Sequence, residues 1–293
     1  MSNSCIFHFV SDIFPRHAAR RRGKKGRAML ERELETKLGT VADMIAGARK
    51  VVVFTGAGIS TESGIPDFRS PGGIWTKFDP DDFTIDKFLA DPAIRRKHWE
   101  LLFSGGLLTE AVPNRAHRAI AAMERIGKLD CVITQNIDNL HQKAGNDPER
   151  VFELHGSART ARCLDCGGRF PIEEILANNP GRNGAPVCER CRGILKPDVV
   201  FFGEALPENT LRQAAAHSSR SDLFIVIGSS LVVYPAASMP QYAKEGGARI
   251  VIINLSPTPQ DELADLVVHC RAGEAMERII AGGSLSALMK KGG

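Results

Sequence analysis

The sequence of 293 residues lacks any apolar run near the roughly 18 residues that a membrane-spanning helix needs. It also lacks the order of a secretory signal, because the basic residues near the N-terminus follow the apolar stretch Cys5–Phe14 instead of preceding it. There is no internal repeat, and no low-complexity tract beyond the N-terminal segment. We therefore expect no membrane partner, no secretion and a cytoplasmic location.

Excess charge of one sign is confined to the N-terminus. The net charge is +4, and residues 1–28 hold seven basic side chains and one acidic one, so this segment contributes +6 and the rest −2. A folded body that binds nucleic acid would be basic, so we expect no direct nucleic-acid partner. Three interpretations of the segment remain open: a disordered arm, an arginine-rich transit segment, or upstream sequence with the true start at Met29.

The remaining composition is that of a globular protein, with 43% hydrophobic and 25% charged residues. Helical spacing from Met29 to Lys50 predicts a first helix, and Val51–Thr55 predicts a buried strand that leads through a glycine turn into another helix. Further strands are predicted at Cys131–Thr134, Leu223–Gly228 and Arg249–Asn254. Further helices are predicted at Pro92–Phe103, His117–Ile126 and Ala236–Lys244. This alternation indicates an α/β fold with a doubly wound, Rossmann-like parallel sheet.

Two segments interrupt the alternation. Residues 62–112, rich in Pro, Gly, Asp and aromatics, predict an insertion with one helix, and residues 157–197 carry paired cysteines. We expect a basic tail at 1–28, a first part of the nucleotide-binding domain at 29–156 and a second part at 198–293. A small zinc-ribbon module would be inserted between the two parts.

Four of the seven cysteines form two Cys-x-x-Cys pairs, Cys163/Cys166 and Cys188/Cys191, separated by twenty-one residues. Two such turns present four thiolates to one ion, which predicts one tetrahedral zinc ion (Zn²⁺) per chain. Four thiolates leave no position for water, so the site would be structural. A redox-active pair is the alternative, whereas four unrelated thiols would not produce two matched spacings.

Several loops that follow predicted strands indicate a nucleotide site. Glycines at Gly56–Gly58 would let the backbone approach phosphates at a helix N-terminus. Gly64 comes later than a dehydrogenase pattern requires, and residues 72–82 do not form the second strand such an enzyme needs. Gly228–Ser230 and Asn254 follow two other predicted strands, at the sheet edge where such folds bind ligands. The site therefore resembles a dinucleotide loop without being that of a dehydrogenase.

Six motifs, which occur in the same order, make the chain resemble the sirtuins, the Sir2-like NAD-dependent deacylases. The resemblance covers roughly residues 40–280 and looks greatest to bacterial and archaeal deacetylases. The motifs are Gly56–Arg69 (GAGISTESGIPDFR), Thr134–His141 (TQNIDNLH), Glu153–Gly156 (ELHG), the four cysteines, Val200–Glu204 (VFFGE) and Gly228–Leu231 (GSSL).

The resemblance implies an enzyme that consumes NAD+ as a co-substrate and moves the acetyl group of an acetylated lysine in a protein substrate to ADP-ribose. It implies His155 as the general base and Asn136 as a catalytic residue near the nicotinamide ribose. The implied NAD+ site comprises Gly56, Ala57, Gly58, Thr61, Asp67, Phe68, Arg69, Gln135, Ile137, Asp138, Ser229, Ser230, Asn254 and Ala272. The implied substrate contacts are Val200, Phe202, Gly203 and Val233.

The residue types suit these roles. An imidazole titrates near neutral pH, and His155 follows the short apolar run Val151–Leu154, where a strand end would point it into a cleft. Asn136 and Asp138 would face one ligand if the segment is extended, although a helix cap is the other interpretation of this pair. Phe68 would cover the nicotinamide and exclude water.

Some relatives in this family that remove acidic acyl groups carry a Tyr-x-x-Arg pair, and the matching positions here look like Trp99 and Leu102. We therefore expect acetyl or another neutral acyl group, in an apolar channel walled by Phe202, Leu231 and Val233, although each could equally be a core residue. Two alternatives remain: a mono-ADP-ribosyltransferase using the same site, and a non-catalytic zinc-ribbon binding module, against which the acidic body argues.

Overall fold

The computed structural model describes residues 24–103, 111–178 and 184–291. Most of the predicted basic tail lies outside these ranges, and its residues from 24 onward begin the first helix, α1 (Lys24–Gly47). From Lys37 onward the chain forms one unit, which contains every site discussed below. No helix of the described residues is both long and apolar enough to cross a membrane.

Nine strands lie within the described residues. In chain order they are β1 (Val51–Thr55), β2 (Leu129–Thr134), β3 (Val151–Glu153), β4 (Gly156–Cys163), β5 (Arg169–Pro171), β6 (Leu195–Val199), β7 (Leu223–Ile227), β8 (Arg249–Ile253) and β9 (Leu266–Val268). Six of them form one parallel sheet in the order β3-β2-β1-β7-β8-β9. The predicted Rossmann-like α/β sheet is therefore confirmed.

Nine α-helices follow α1 within the described residues. They are α2 (Ile85–Ala90), α3 (Pro92–Phe103), α4 (Arg115–Arg125), α5 (Leu140–Ala144), α6 (Ile172–Asn178), α7 (Glu208–Arg220), α8 (Met239–Glu245), α9 (Ala272–Ala281) and α10 (Gly283–Lys291). The strands and helices predicted with defined bounds are present, with ends that move by at most three residues except at α1, which begins five residues earlier than predicted. The predicted helix at Ala236 begins as a 3-10 turn before α8.

The core of the sheet explains why its strands are almost purely apolar. Val52 and Phe54 of β1 pack in a cluster with Ala214 of α7 and Ala243 of α8. The alternate residues of β1 point to the other face and are equally buried. A strand buried on both faces reads as a continuous apolar run, as in other sheets covered by helices on both sides.

A second, antiparallel sheet in the order β5-β4-β6 forms the module that carries the cysteines. Its small core combines Cys163 and Cys188 with Ile172 and Ile175 of α6 and with Trp99 of α3. Trp99 Nε1 donates a hydrogen bond to the carbonyl oxygen of Leu195 on β6, at 3.2 Å. Helix α3 of the first insertion therefore completes the core of the second one.

Candidate active site

The carboxyl ends of β1 and β7 form the point where the strand order of the sheet reverses, the usual ligand site of this architecture. The loops after these strands touch, since Gly58 N donates to the carbonyl oxygen of Gly228 at 2.8 Å. A Cβ added to Gly58 would lie 2.8 Å from that oxygen. Gly228 has a φ of +63°, and a Cβ added to it would lie only 2.3 Å from Ile59 N. Both positions require glycine because two backbones are in contact there, independently of any contact that a ligand makes.

The predicted helix after the glycine turn is wrong. Two 3-10 turns, Ala57–Ile59 and Thr61–Ser63, follow β1, and Gly64 ends the second one with a left-handed φ of 88°. Thr61 Oγ1 donates to the carbonyl oxygen of Gly58 at 3.0 Å and closes the turn. Backbone N–H groups at this loop therefore belong to short turns and not to an α-helix.

A cleft of about 360 Å³ opens at this edge of the sheet and extends toward the cysteine module. Its walls are mainly apolar, with a few polar groups gathered on one side, as expected of a small-molecule site. The predicted site residues that line it are Ala57, Phe68, Arg69, Gln135, Asn136, Ile137, Asp138, His155, Val200, Phe202, Gly203 and Val233.

His155 follows β3 and lies in the cleft wall beside Asn136. Its Nδ1 lies 3.0 Å from the carbonyl oxygen of Gln135, which accepts only from an N–H, so Nδ1 carries the proton and Nε2 is the basic nitrogen. Burial lowers the pKa of His155 below 6.5, and the bond to Gln135 only partly offsets this. The ring is therefore a neutral base at physiological pH.

Ser60 joins two polar side chains that line the cleft, Asn136 and Asp138. Asn136 Nδ2 donates to Ser60 Oγ at 3.2 Å and to the carbonyl oxygen of Gly56 at 3.1 Å. Ser60 Oγ in turn donates to Asp138 Oδ2 at 2.7 Å. Both Nδ2 hydrogens of Asn136 are thus engaged, so its Oδ1, which makes no hydrogen bond to the described residues, is the amide atom available to a ligand.

Asp138 makes the backbone contact of a capping residue and also lines the cleft. Its Oδ1 accepts from the backbone N–H of Leu140 at 3.0 Å, as a capping residue would, while Oδ2 faces Ser60. Burial raises the pKa of Asp138, against the hydrogen bonds that stabilise its charge. A carboxylate held this way can accept a hydrogen bond from an amide N–H in the cleft.

A second polar group connects the loops after β1, β2 and β7. Ser229 Oγ donates to Gln135 Oε1 at 3.0 Å, and Arg69 Nη1 donates to Ser230 Oγ at 3.3 Å. Asp67 Oδ1 accepts from the backbone N–H of Arg69 at 2.9 Å and so fixes the start of this turn. Burial lowers the pKa of Arg69, and Asp67 opposes the shift.

Eight predicted NAD+ residues do not line the cleft: Gly56, Gly58, Thr61, Asp67, Ser229, Ser230, Asn254 and Ala272. The first six lie in the loops that border it, whereas Asn254 and Ala272 follow β8 and β9. Asn254 follows β8, and its Nδ2 donates to the carbonyl oxygen of Ser256 at 2.7 Å. Ala272 begins α9, and the N–H of its neighbour Gly273 donates to Glu62 Oε2 at 2.5 Å. A role for any of the eight in binding NAD+ stays a prediction.

The structure shows where three residues considered for the acyl channel lie. Trp99 is fully buried in the cysteine module and does not line the cleft, whereas Leu102 does. Leu231 is a core residue of the main sheet and not a channel wall. Arg95 of α3 donates to the backbone carbonyls of Phe88 and Leu89 at 2.9 and 2.8 Å.

The four paired cysteines converge as predicted. Cys163 Sγ lies 3.5 Å from Cys191 Sγ, Cys166 Sγ lies 3.8 Å from Cys188 Sγ, and all four sulfurs lie within 4.8 Å of one another. Tetrahedral zinc with Zn–S bonds of about 2.3 Å requires S···S separations of about 3.8 Å. The four sulfurs therefore form a cluster with the spacing that could hold one metal ion.

Comparisons with known proteins place the chain in a family. The model of the Sir2 family matches residues 56–235. The chain is 47% identical over 249 residues to NAD-dependent protein deacetylase 1 of Bradyrhizobium diazoefficiens, covering 85% of this chain and 97% of that protein. The chain belongs to the Sir2 family.

Solved structures agree with this assignment to the Sir2 family. A structure from work on the mechanism and regulation of Sir2 enzymes is 42% identical, with a TM-score of 0.78, over 88% of this chain and 99% of that one. A Sir2 variant solved with a deacetylated p53 peptide and 3′-O-acetyl-ADP-ribose is 40% identical, with a TM-score of 0.76, over 83% and 97% of the two chains.

Sequence reasoning missed Ser60, which lines this Sir2-family cleft, and Thr134, which ends β2 and contacts the backbone of Asn136. Both lie inside the quoted motifs, but a serine or threonine next to a strand is so common that its identity alone carries no signal. What distinguishes them is burial, at 1% and 2% exposure, combined with hydrogen bonds to Asn136. Only the tertiary structure reveals that combination.

Proposed function

We propose that this chain is an NAD-dependent protein lysine deacetylase that produces nicotinamide, O-acetyl-ADP-ribose and free lysine. The observation that carries the proposal is the neutral imidazole of His155, whose basic nitrogen Nε2 is free of the Gln135 contact, in one cleft with Asn136 and Asp138. The names of the relatives and the product-bound structure support the same chemistry.

NAD+ would supply a glycosidic bond whose cleavage releases nicotinamide and leaves ADP-ribose to accept the acetyl group. Asp138 would accept a hydrogen bond from the nicotinamide amide, with Ile137 and Phe68 as apolar neighbours. Asn136 would present Oδ1 to a hydroxyl of the nicotinamide ribose, because Gly56 and Ser60 engage its Nδ2.

His155 would then act as a general base. A ribose hydroxyl must lose its proton before its oxygen can bond to the acetyl carbon, and Nε2 would take that proton. The carbonyl of Gln135 keeps the opposite nitrogen protonated, which fixes the tautomer the step requires. Phe68, packed on Trp75 with ring centroids 5.1 Å apart, would exclude water from the nicotinamide side.

An uncharged acyl group fits the end of the cleft beyond His155. Its walls include Leu101 and Leu102 of α3 together with Ile172 and Leu176 of α6. Burying a carboxylate there without a cation would be costly, so acidic acyl groups should be poor substrates. The same apolar continuation favours a second candidate function, removal of a longer neutral acyl group such as propionyl.

A structural zinc ion would occupy the cysteine cluster. The four sulfurs give a closed shell of thiolates, and two of them, on Cys163 and Cys188, sit in the core of the module. Zinc would hold the module together and take no part in the reaction.

The test is mass spectrometry of products from peptides carrying acetyl-, propionyl- and succinyl-lysine, each incubated with the protein and NAD+. We expect nicotinamide and O-acetyl-ADP-ribose in equal amounts from the acetyl peptide, and little turnover of the succinyl peptide. His155→Ala should remain folded and lose this activity. Transfer of ADP-ribose to a protein side chain without loss of acetyl would instead support a mono-ADP-ribosyltransferase and overturn the proposal.

A further inference from the structure

A line of buried hydroxyl groups lies beneath the reactive loop, at the end of β1 and β2. Thr55 and Thr134 are paired across these strands, at 0% and 2% exposure, and Thr55 Oγ1 donates to Thr134 Oγ1 at 2.8 Å. Thr134 Oγ1 also accepts the backbone N–H of Asn136 at 3.0 Å. Burying a hydroxyl away from water costs free energy unless it is hydrogen-bonded. A valine would fit the strand without that cost.

The line continues to a histidine that the proposed mechanism does not use. His141 of α5 is 1% exposed, and its Nε2 lies 3.0 Å from Thr55 Oγ1. Because the only hydroxyl proton of Thr55 is donated to Thr134, His141 must donate from Nε2–H. Burial, with a smaller electrostatic contribution from His117, lowers the pKa of His141 well below 6.5, so the ring stays neutral in this contact.

At its other end, the line of hydroxyl groups reaches the backbone of Asn136 in the candidate active site. Asn136 N–H lies beyond the end of β2, so no strand carbonyl is available to it, and the Thr134 hydroxyl takes that place. The adjoining residue, Gln135, donates its N–H to the carbonyl oxygen of Thr55 at 2.9 Å and orients His155 through its own carbonyl. The geometry of both proposed catalytic side chains therefore depends on two successive peptide groups.

We propose that His141 and the two threonines form a positioning relay, His141–Thr55–Thr134–Asn136. The relay holds the backbone N–H of Asn136 and so orients the side chain of Asn136 for cleavage of the glycosidic bond. This rests on the proposed function, because the role of Asn136 does. The relay touches no substrate: it acts on the reaction through the backbone of Asn136.

His117 provides a matched control within the same pocket. It is fully buried, its ring centroid lies 4.9 Å from that of His141, and neither of its nitrogens has a hydrogen-bond partner among the described residues. Replacing either histidine by leucine removes a buried imidazole, but only His141 belongs to the relay. If the role of His141 were purely structural, the two replacements would have equivalent effects on kcat.

The decisive experiment compares Thr134→Val with Thr134→Ser. Thr134→Val should lower kcat about tenfold, as expected for about 1.4 kcal/mol of lost positioning, with little change in the KM for the acetyl peptide. Thr134→Ser, which keeps the hydroxyl, should recover most of the loss. His141→Leu should resemble Thr134→Val, and His141→Gln, which retains a donor, should be partly rescued, whereas His117→Leu should change stability and leave kcat within about twofold.

A double-mutant cycle tests whether the effect passes through Asn136. In an Asn136→Ala background, Thr134→Val should cause a much smaller loss of kcat than in the parent, because the side chain it positions is absent and only the effect on His155 through the Gln135 carbonyl remains. Additive losses of kcat would overturn the relay. A normal kcat for Thr134→Val, measured beside an active parent, would also overturn it.

Hydrogen exchange gives a readout that does not require deacetylation. The amide of Asn136 should exchange faster in Thr134→Val than in the parent and in Thr134→Ser, at temperatures where all three are folded. Unchanged exchange would refute the relay even if the parent proved inactive on acetyl peptides. An inactive parent with the expected exchange pattern would refute the proposed function and support the Thr134 contact alone.

Discussion

Acid should destabilise the folded protein through its buried histidines, and His117 offers the clearest measurement. It is fully buried on α4, and burial lowers its pKa from 6.5 to about 4. Its two ring nitrogens lack hydrogen-bond partners among the described residues, so nothing in the fold stabilises the protonated form. The unfolded chain, by contrast, protonates this ring near pH 6.5.

The sign of the effect follows from proton binding. The unfolded state binds the proton more readily, so the contribution of His117 is complete above pH 6.5 and is lost as the pH falls toward 4. Lowering a pKa from 6.5 to about 4 corresponds to about 3 kcal/mol, since a tenfold change in proton affinity is about 1.4 kcal/mol. At pH 5, the loss from this one residue should be about 2 kcal/mol.

The perturbation is His117→Leu, which removes the titration and keeps an apolar side chain. Between pH 7 and pH 5 the parent should lose about 2 kcal/mol more unfolding free energy than the variant. Met123→Ala is the matched control, because Met123 is equally buried on the same helix and does not titrate. It should reduce the unfolding free energy by the same amount at both pH values, by about 2–5 kcal/mol.

Urea unfolding followed by far-UV circular dichroism measures these differences, with zinc present throughout and m-values compared between the proteins. The other buried histidines titrate in parent and variant alike, so they largely cancel. If the parent and His117→Leu lose stability equally between the two pH values, the reasoning from burial is refuted.

Three further predictions concern the cleft. Ser60→Ala should slow nicotinamide release about tenfold, because Asn136 and Asp138 lose their shared hydrogen-bond partner. An unchanged kcat would show that Ser60 has no role in the reaction. Gly228→Ala should lower the Tm far more than the control Gly247→Ala, which has a φ of +89° but nothing within 4 Å of an added Cβ, and equal losses would contradict the proposed loop contact. In the pH profile of kcat/KM, the midpoint of the acid limb should lie below pH 6.5, because burial lowers the pKa of His155. A midpoint above pH 6.5 would exclude His155 as the base.

The sheet was predictable because its strands are buried on both faces. A run such as Val51–Thr55 is apolar up to its last residue, so its position does not depend on periodicity. The cysteine cluster was predictable for a different reason: one ion imposes a fixed spacing on each pair. In both cases a local pattern in the chain reflects a physical requirement of the final structure.

The turn after β1 was predicted wrongly although its signal was present. Only five residues separate Gly58 from Gly64, and Pro66 follows, which leaves too little chain for an α-helix between two breakers. The error came from carrying over the helix of a dinucleotide loop. The burial of Trp99 in the cysteine module was not predicted, because spacing along α3 does not say which side of the helix meets that module.

Zinc should matter to the reaction through the acyl end of the cleft and not through the NAD+ end. Cys163, Cys188 and Trp99 share one small core with Ile172, and Ile172 also lines the cleft. The core beneath the glycine loop belongs to a different cluster, built on β1 and its neighbours. Loss of the metal should therefore disorganise the wall that faces the acyl group and spare the sheet edge.

Calorimetric binding to a zinc-depleted protein tests this division. Cys188→Ala should release zinc and lose binding of an acetyl-lysine peptide, while ADP-ribose still binds at temperatures where the sheet is folded. Cys270→Ala is the matched control, because Cys270 is buried outside the cluster, and it should keep both zinc and peptide binding. Peptide affinity that survives loss of the metal would show that the wall formed by α3 and α6 does not depend on the thiolate cluster. Parallel loss of ADP-ribose binding would show that the two cores are not independent.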